Sequence, residues 1–295
     1  MDTILVEATR GGVVEARHRV HAVAVSGGEI VAAAGDPGLV THFRSSAKPL
    51  QALPLVRARS DLDDREVAIA CASHLARPEQ LDAVRSLLAK ASAREDDLEC
   101  GTSGPDAGRT RIEHNCSGKH AGMLALCRAR GWPSEDYRLA EHPCQQAMLA
   151  EVAAAAEVNP DAIQLGVDGC GIPTFALSLE RMAHSFSRLA ELEGGARAMA
   201  AMHAYPELIR GPLAADTMLM QTQTRWVAKG GAEGLLCAVS AEGLGIALKV
   251  DDGSQRGLRS ALAAFLARLG VDTGELGEVP VENSRGEIVG ELRAV

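Results

Sequence analysis

Residues 114–123 read His-Asn-Cys-Ser-Gly-Lys-His-Ala-Gly-Met, and the first seven of them hold a thiol, an amine, two imidazoles, a hydroxyl and an amide. Apolar spacing of helical type begins at once over 121–130, so the cluster lies where a loop enters a helix. A second run, Gly166-Val167-Asp168-Gly169-Cys170-Gly171-Ile172-Pro173, sets a carboxylate and a thiol two residues apart between glycines. Cys116 and Cys170 are therefore candidates to meet at one site. Thiolates and imidazoles suit zinc, and ordinary ligand chemistry would take His114 or His120 as a third donor. Two unrelated buried cysteines are the competing reading, because paired Cys-x-x-Cys motifs are absent.

Three further segments carry groups able to react. In Arg44-Ser45-Ser46-Ala47-Lys48, Ser45 and Lys48 are three residues apart at a helix start and share a face. A serine is a poor nucleophile until a base lies within hydrogen-bond reach. A lysine serves as that base only where burial or a neighbouring cation favours its neutral form. A four-residue pattern of this kind also arises by chance, as a helix cap followed by a surface lysine. Ser73, in Cys71-Ala72-Ser73-His74, is a second hydroxyl, although a turn or cap role is the plainer reading. Lys229, in Ala228-Lys229-Gly230-Gly231-Ala232-Glu233-Gly234, precedes a strand and could point into a cleft; taken alone the segment reads as a loop with a surface lysine. Lys249 is its rival for an inward amine.

The elements that must position these groups divide by place in the chain. Short alternating segments at 3–8, 13–17, 20–25 and 29–34 read as strands separated by glycine turns. A helix is expected from 45 or 46 to about 56, with Pro49 tolerated in its first turn and Pro54 kinking it. After a short apolar run at 67–72, helices are expected at 78–91, 143–157, 174–190, 196–203 and 215–227. Strands return at 234–240 and 244–250, then a helix at 254–269 with Ser254 as cap, then a hairpin of 279–281 with 288–292. The fold class is thus mixed α/β of the α+β kind. An antiparallel sheet built from both chain ends (about 1–60 and 228–295) accompanies a central helical lobe (about 61–227), with a ligand cleft between them, all in one domain of 1–295.

Composition narrows the function. A hydrophobic fraction of 46% over 295 residues supplies a full core, and with only 3% aromatics that core must be aliphatic. A formal charge of −9 without any basic block excludes a nucleic-acid binder. No signal pattern opens the sequence and no apolar run is long enough to span a membrane. Seven irregularly spaced cysteines fit a reducing compartment, so a cytoplasmic location is expected.

Taken in order, R-S-S-A-K-P from Arg44, C-A-S-H at 71–74, the ten residues at 114–123, G-V-D-G-C-G-I-P at 166–173 and A-K-G-G-A-E-G at 228–234 resemble the bacterial L-asparaginase II family of the Rhizobium etli type. The likeness covers roughly 5 to 290 and is specific at the two cysteine motifs. It implies a fold like that of serine-dependent glutaminases and penicillin-recognising enzymes, and hydrolysis of L-asparagine to L-aspartate and ammonia. It implies two serine–lysine tandems, Ser45 with Lys48 and Ser73 with Lys229, Lys249 being the less fitting match. It further implies one zinc on Cys116, Lys119 and Cys170, with Asp168 beside it and Arg44 and His120 near the substrate. Some relatives carry a cysteine in the segment matching 211–217, where this chain has Ala214 and Ala215. A glutaminase or other small amidase is the nearest alternative, since one methylene in a pocket separates the substrates by only about 1–3 kcal/mol. A non-catalytic zinc-stabilised binding protein is the alternative of another class. The expected partners are the small-molecule substrate and a second copy of the chain in a homodimer, with neither nucleic acid nor membrane.

Overall fold

The computed structural model describes residues 1–102 and 110–295, and the chain forms two compact units. One comprises Met1–Thr41, Ser178–Ser187 and Leu213–Val295; the other comprises His42–Leu177 and Arg188–Pro212.

The first unit is an antiparallel sheet assembled from both chain ends, as the terminal strand patterns predict. Its longest member, Val13–Ser26, is one 14-residue strand where two short ones are expected. No glycine or proline interrupts 13–26, so nothing stops the ladder between them. Its first half pairs with Ile4–Arg10, and its second half pairs with both Glu29–Ala34 and Gly245–Val250. Leu235–Ser240 and then Trp226–Gly230 extend the sheet one way; Ile288–Ala294 and Val279–Glu282 extend it the other. Val6 lies opposite Ala294, which joins the first strand to the last.

Alternation along these strands sends Ile4, Val6, Val20, Ala22, Ala228, Ala238, Ile246 and Leu248 to one face, where they pack with Leu258, Ala261, Leu262, Phe265 and Leu266 of the helix Leu258–Arg268. The other face carries the row Lys229, Cys237, Ala247 and Val23 and is covered by the helix Leu179–Ser187. That helix lies so close that a Cβ on Gly245 would stand 2.1 Å from the Ala183 carbonyl oxygen.

The second unit is mainly helical. Asp64–Ala70 starts with a capping box in which Asp63 and Glu66 satisfy each other's backbone N–H groups. Pro78–Lys90, Ser117–Arg130, Pro143–Ala156 and Gly195–Ala204 follow. Ser117–Arg130 is buried from Ser117 to Cys127 and lies at the centre of the unit. It touches the end of Asp64–Ala70 so closely that a Cβ on Gly118 would sit 2.2 Å from the Ile69 carbonyl oxygen.

Three helix expectations need correction. The helix expected at 174–190 is a strand, Pro173–Ser178, followed by the helix Leu179–Ser187. Thr174 and Phe175 are strand formers and find a ladder in Leu165–Val167. The helix expected at 215–227 ends at Thr222, and Trp226–Gly230 joins the sheet. Leu258–Arg268 starts four residues later than expected: the Ser254 N–H goes to Asp252 Oδ1 at 2.8 Å, and Gly257 takes the cap position. Among the described residues no helix is long and apolar enough to cross a membrane.

Candidate active site

The Ser45 segment is an irregular turn that its neighbours hold in place. Phe43 donates its N–H to the Phe175 carbonyl at 2.7 Å, and Arg44 donates its N–H to Thr174 Oγ1 at 3.1 Å. Arg44 has a left-handed backbone, φ 47°, which costs a non-glycine residue on the order of 1–2 kcal/mol. Its guanidinium donates from Nε to Asp168 Oδ1 at 2.9 Å, a partly buried ion pair that helps to hold the conformation. The chain then makes a 3₁₀ turn, Arg44–Ala47, and a short helix, Lys48–Gln51, before Leu53–Ala58 restarts with Pro54 in its first turn. Ser45 emerges half-buried, while Lys48 is wholly buried.

The Lys48 amine donates to Ser73 Oγ at 3.0 Å and to the Ala72 carbonyl, and it hydrogen-bonds the Cys116 thiol. Burial drives Lys48 below the ordinary lysine value; the charge of Lys119 adds to the effect, and the sulfurs of Cys116 and Cys170 oppose it. A buried amine with a depressed pKa, one hydrogen bond from a hydroxyl, has the form of a general base. Of the two serines it is Ser73 that this amine contacts directly, whereas the resemblance joins Lys48 to Ser45.

Cys116 caps the helix Ser117–Arg130 and hydrogen-bonds Cys170; Lys119, one turn on, reaches Cys170 Sγ with its amine at 3.3 Å. The hydrogen bond from Cys170, aided by the charges of Lys48 and Lys119, holds Cys116 well below the usual thiol range. The same bond and burial push Cys170 up. Burial works against the Lys119 ammonium, but Cys170, Cys116 and Asp168 outweigh it and raise its pKa. Among the described residues no group of three or more His, Cys, Asp and Glu side chains is placed to hold a metal. The convergent donors are instead two sulfurs and the Lys119 nitrogen; the sulfurs suit zinc as thiolates, and Lys119 would join them only by giving up its proton.

The histidines are engaged otherwise. His114 Nδ1 accepts the Cys116 N–H at 3.0 Å. His120 Nδ1 meets the Tyr137 hydroxyl at 2.9 Å, and its Nε2 is buried with no hydrogen-bond partner among the described residues. Burial first, then the Lys119 charge, keeps His120 neutral by lowering its pKa far below the imidazole norm.

Two residues beside these groups are not signalled by the sequence. One is His74, whose pKa burial lowers to about 4, with Lys48 contributing. Ser117 donates its hydroxyl to the Ile112 carbonyl at 2.7 Å, so the 2.7 Å contact between His74 Nε2 and Ser117 Oγ must run from the imidazole N–H. Nδ1 then accepts the Ala76 N–H at 3.1 Å. This neutral ring links the C-A-S-H segment to the helix that carries Cys116 and Lys119.

The other is Asp216, in the sheet unit. Lys229 lies inside the strand Trp226–Gly230, not in a loop, and is wholly buried; its Nζ stands 3.7 Å from Asp216 Oδ2. Asp216 also accepts the N–H of Gly230 at 2.7 Å and of Thr217 at 2.9 Å. An acidic residue at the start of a helical pattern, as in Ala214-Ala215-Asp216-Thr217, reads as a helix-terminus charge; only the tertiary fold shows its partner. Lys249 lies on the same sheet face as Lys229, opposite His21 and Leu235. Its pKa is lowered by burial, against the pull of Asp251, Glu233 and Asp252.

Ser45, Lys48, Ser73, Cys116, Lys119, His120, Asp168, Cys170 and Arg44 thus share the helical unit, and Lys229 and Lys249 belong to the sheet unit. No curated protein matches the chain. The family model for L-asparaginase II matches residues 6–294, nearly the whole length, and the chain belongs to that family.

Proposed function

We propose that this protein is an L-asparaginase that hydrolyses the side-chain amide of L-asparagine by serine–lysine acyl transfer. The observation that carries the reading is the buried Lys48 amine, depressed in pKa and 3.0 Å from a serine hydroxyl, within a chain of the L-asparaginase II family. Ser45 is the nucleophile: it is half-buried, so a substrate can reach it, and it directly follows the left-handed Arg44. Lys48 takes the Ser45 proton, with Ser73 relaying it, and Ser45 Oγ bonds to the amide carbon. The tetrahedral intermediate collapses as the proton passes to the amide nitrogen, and ammonia leaves. The same amine then draws a proton from water, whose oxygen attacks the ester carbon; as the second tetrahedral intermediate collapses, that proton passes to the departing Ser45 Oγ and L-aspartate is released.

Arg44 already donates to Asp168, and that pair sets a charged fork for the α-carboxylate and a carboxylate for the α-ammonium. His120, neutral and with a buried Nε2 that no described residue bonds, offers a polar contact for the substrate. Lys229 supplies a second amine. Zinc on Cys116, Lys119 and Cys170 would supply a Lewis acid that organises polar groups of the substrate. A cytoplasmic homodimer remains part of this proposal.

Ser73 as nucleophile is the second reading, favoured by its direct hydrogen bond to Lys48. Ammonia release from asparagine and glutamine, side by side, tests the reaction. Trapping the acyl-enzyme and locating it by peptide mass separates the serines: the adduct on the Ser45 peptide supports the first reading, and on the Ser73 peptide the second. Absence of ammonia release from either amide by folded protein rejects both.

A further inference from the structure

The segment from Cys71 to Arg77 has no regular structure, yet its first four residues are buried. A buried irregular backbone is stable only if each N–H finds an acceptor. All seven do. Cys71 and Ala72 bond back to Ala68 and Ile69 at 3.0 and 3.1 Å. Ser73 donates to the Ile209 carbonyl at 2.7 Å and His74 to the Asn115 carbonyl at 3.2 Å. Ala76, in a left-handed conformation (φ 59°), donates to the His74 ring. The two that remain, Leu75 and Arg77, both donate to one atom, Gln80 Oε1, at 2.9 and 3.1 Å.

Gln80 does more than close its own helix end. Its side-chain amide, in a wholly buried residue, donates its two N–H groups to the carbonyls of Glu207 and Arg210, at 2.9 and 2.6 Å. Those carbonyls flank Ile209, which receives the Ser73 N–H. One primary amide therefore uses two donors and two acceptor sites to tie the strand of backbone bearing Ser73 to the strand of backbone that holds Ser73 in place. A helix-capping glutamine needs only the bond to Arg77; the bonds to 207 and 210 are additional.

We propose that Gln80 is a positioning residue for the reaction: it fixes the Ser73 hydroxyl at hydrogen-bond distance from the Lys48 amine. The inference rests on the reading of Ser73 as part of the catalytic machinery. Gln80 cannot act on substrate by itself, because all four of its hydrogen-bonding positions are already used. Displacement of a reacting group by about 1 Å costs about a hundredfold in rate, and loss of Gln80 frees the loop on both sides.

The test uses Gln80→Glu, which keeps the acceptors and removes both donors, and Gln80→Met, which removes all four bonds at similar volume. In each folded variant kcat for asparagine should fall at least about tenfold while KM stays within about threefold. In a Ser73→Ala background the same changes should lower kcat less than about twofold, because the group they position is gone. Effects that multiply across the two sites would overturn the proposal, since a merely structural role lowers both backgrounds alike. Amide hydrogen exchange on the unmodified protein stands independently of any variant's folding. Leu75 and Arg77 amides should exchange slowly; exchange at the rate of an unstructured peptide of the same sequence would overturn the clamp. A Ser73→Ala protein with full activity would reject the role given to Ser73, and with it the catalytic purpose of Gln80, whereas the exchange result would still decide whether the clamp exists.

Discussion

Lys229 in the sheet unit and Lys48 in the helical unit are both wholly buried, but their surroundings are opposite. Lys229 extends from a strand toward Asp216, a carboxylate held by two backbone N–H groups. Lys48 extends from a short helix toward a hydroxyl, a carbonyl and a thiol, and a second ammonium, Lys119, bears on it. A carboxylate beside a buried amine favours the ammonium, whereas at Lys48 burial is the largest effect and favours the neutral base, with Lys119 adding to it and the sulfurs of Cys116 and Cys170 opposing it. This also explains why a serine–lysine spacing alone says little: the hydroxyl that Lys48 meets belongs to Ser73, 25 residues away, and the surroundings decide whether the amine carries a proton.

The largest effect should come from removing the base. Lys48→Met should lower kcat for asparagine by about a thousandfold, within the range general-base removal commands. The protein should stay folded, because an apolar side chain relieves a buried amine of its desolvation cost. Ammonia-release kinetics beside urea denaturation read both quantities, and a folded Lys48→Met enzyme with near-normal turnover would end the contrast between the two lysines.

Asp216→Asn should act in the opposite sense, chiefly on stability. It leaves the buried Lys229 amine without its carboxylate, and breaking a buried pair from one side costs about 3 kcal/mol. The urea midpoint should fall accordingly. A loss below about 1 kcal/mol, the value of an exposed pair, would mean that Asp216 does not compensate Lys229.

The pH dependence sharpens the assignment of the base. Burial lowers the Lys48 pKa from 10.5, so its neutral form gains population as pH rises. With asparagine saturating, kcat should therefore climb with pH and level off below the ordinary lysine value. A rate that is flat from about pH 6 to pH 10 would remove lysine from the role of base.

The smallest effect should follow removal of metal. Chelator treatment should raise KM by more than it lowers kcat, the mark of lost ground-state binding. Binding of zinc should weaken as pH falls, because a thiol and an ammonium must lose protons to become ligands. Elemental analysis of protein purified without chelator gives the direct check: absence of zinc would reject the site at Cys116, Lys119 and Cys170.

Several elements were legible in the sequence for a clear reason. The strands at 3–8 and 29–34, the helix at 78–91 and the last hairpin all carry strong local periodicity and meet turn residues at their ends. The strand Pro173–Ser178 was not legible, because its preference is decided by a three-residue ladder partner, Leu165–Val167. Lys229 read as a loop lysine because Gly230-Gly231 follows it, yet the pairing with Leu235–Ser240 draws it into the sheet. Gln80 carried a partial signal, a proline at the first helical position with a glutamine two residues later, which marks a helix start but not the bonds to 207 and 210.

The sequence by itself supplied the candidates, Ser45, Lys48, Ser73, Lys229, Cys116, Lys119 and Cys170, and predicted a sheet formed from the two chain ends. Types, order and local periodicity are properties of the chain and need no third dimension. Only the tertiary structure decided that Lys48 meets Ser73, that Asp216 faces Lys229, that His74 is a neutral strut to Ser117 and that Gln80 ties 75–77 to 207–210. Each of these is a contact between distant segments whose strength depends on burial, and burial is set by everything else that packs around it.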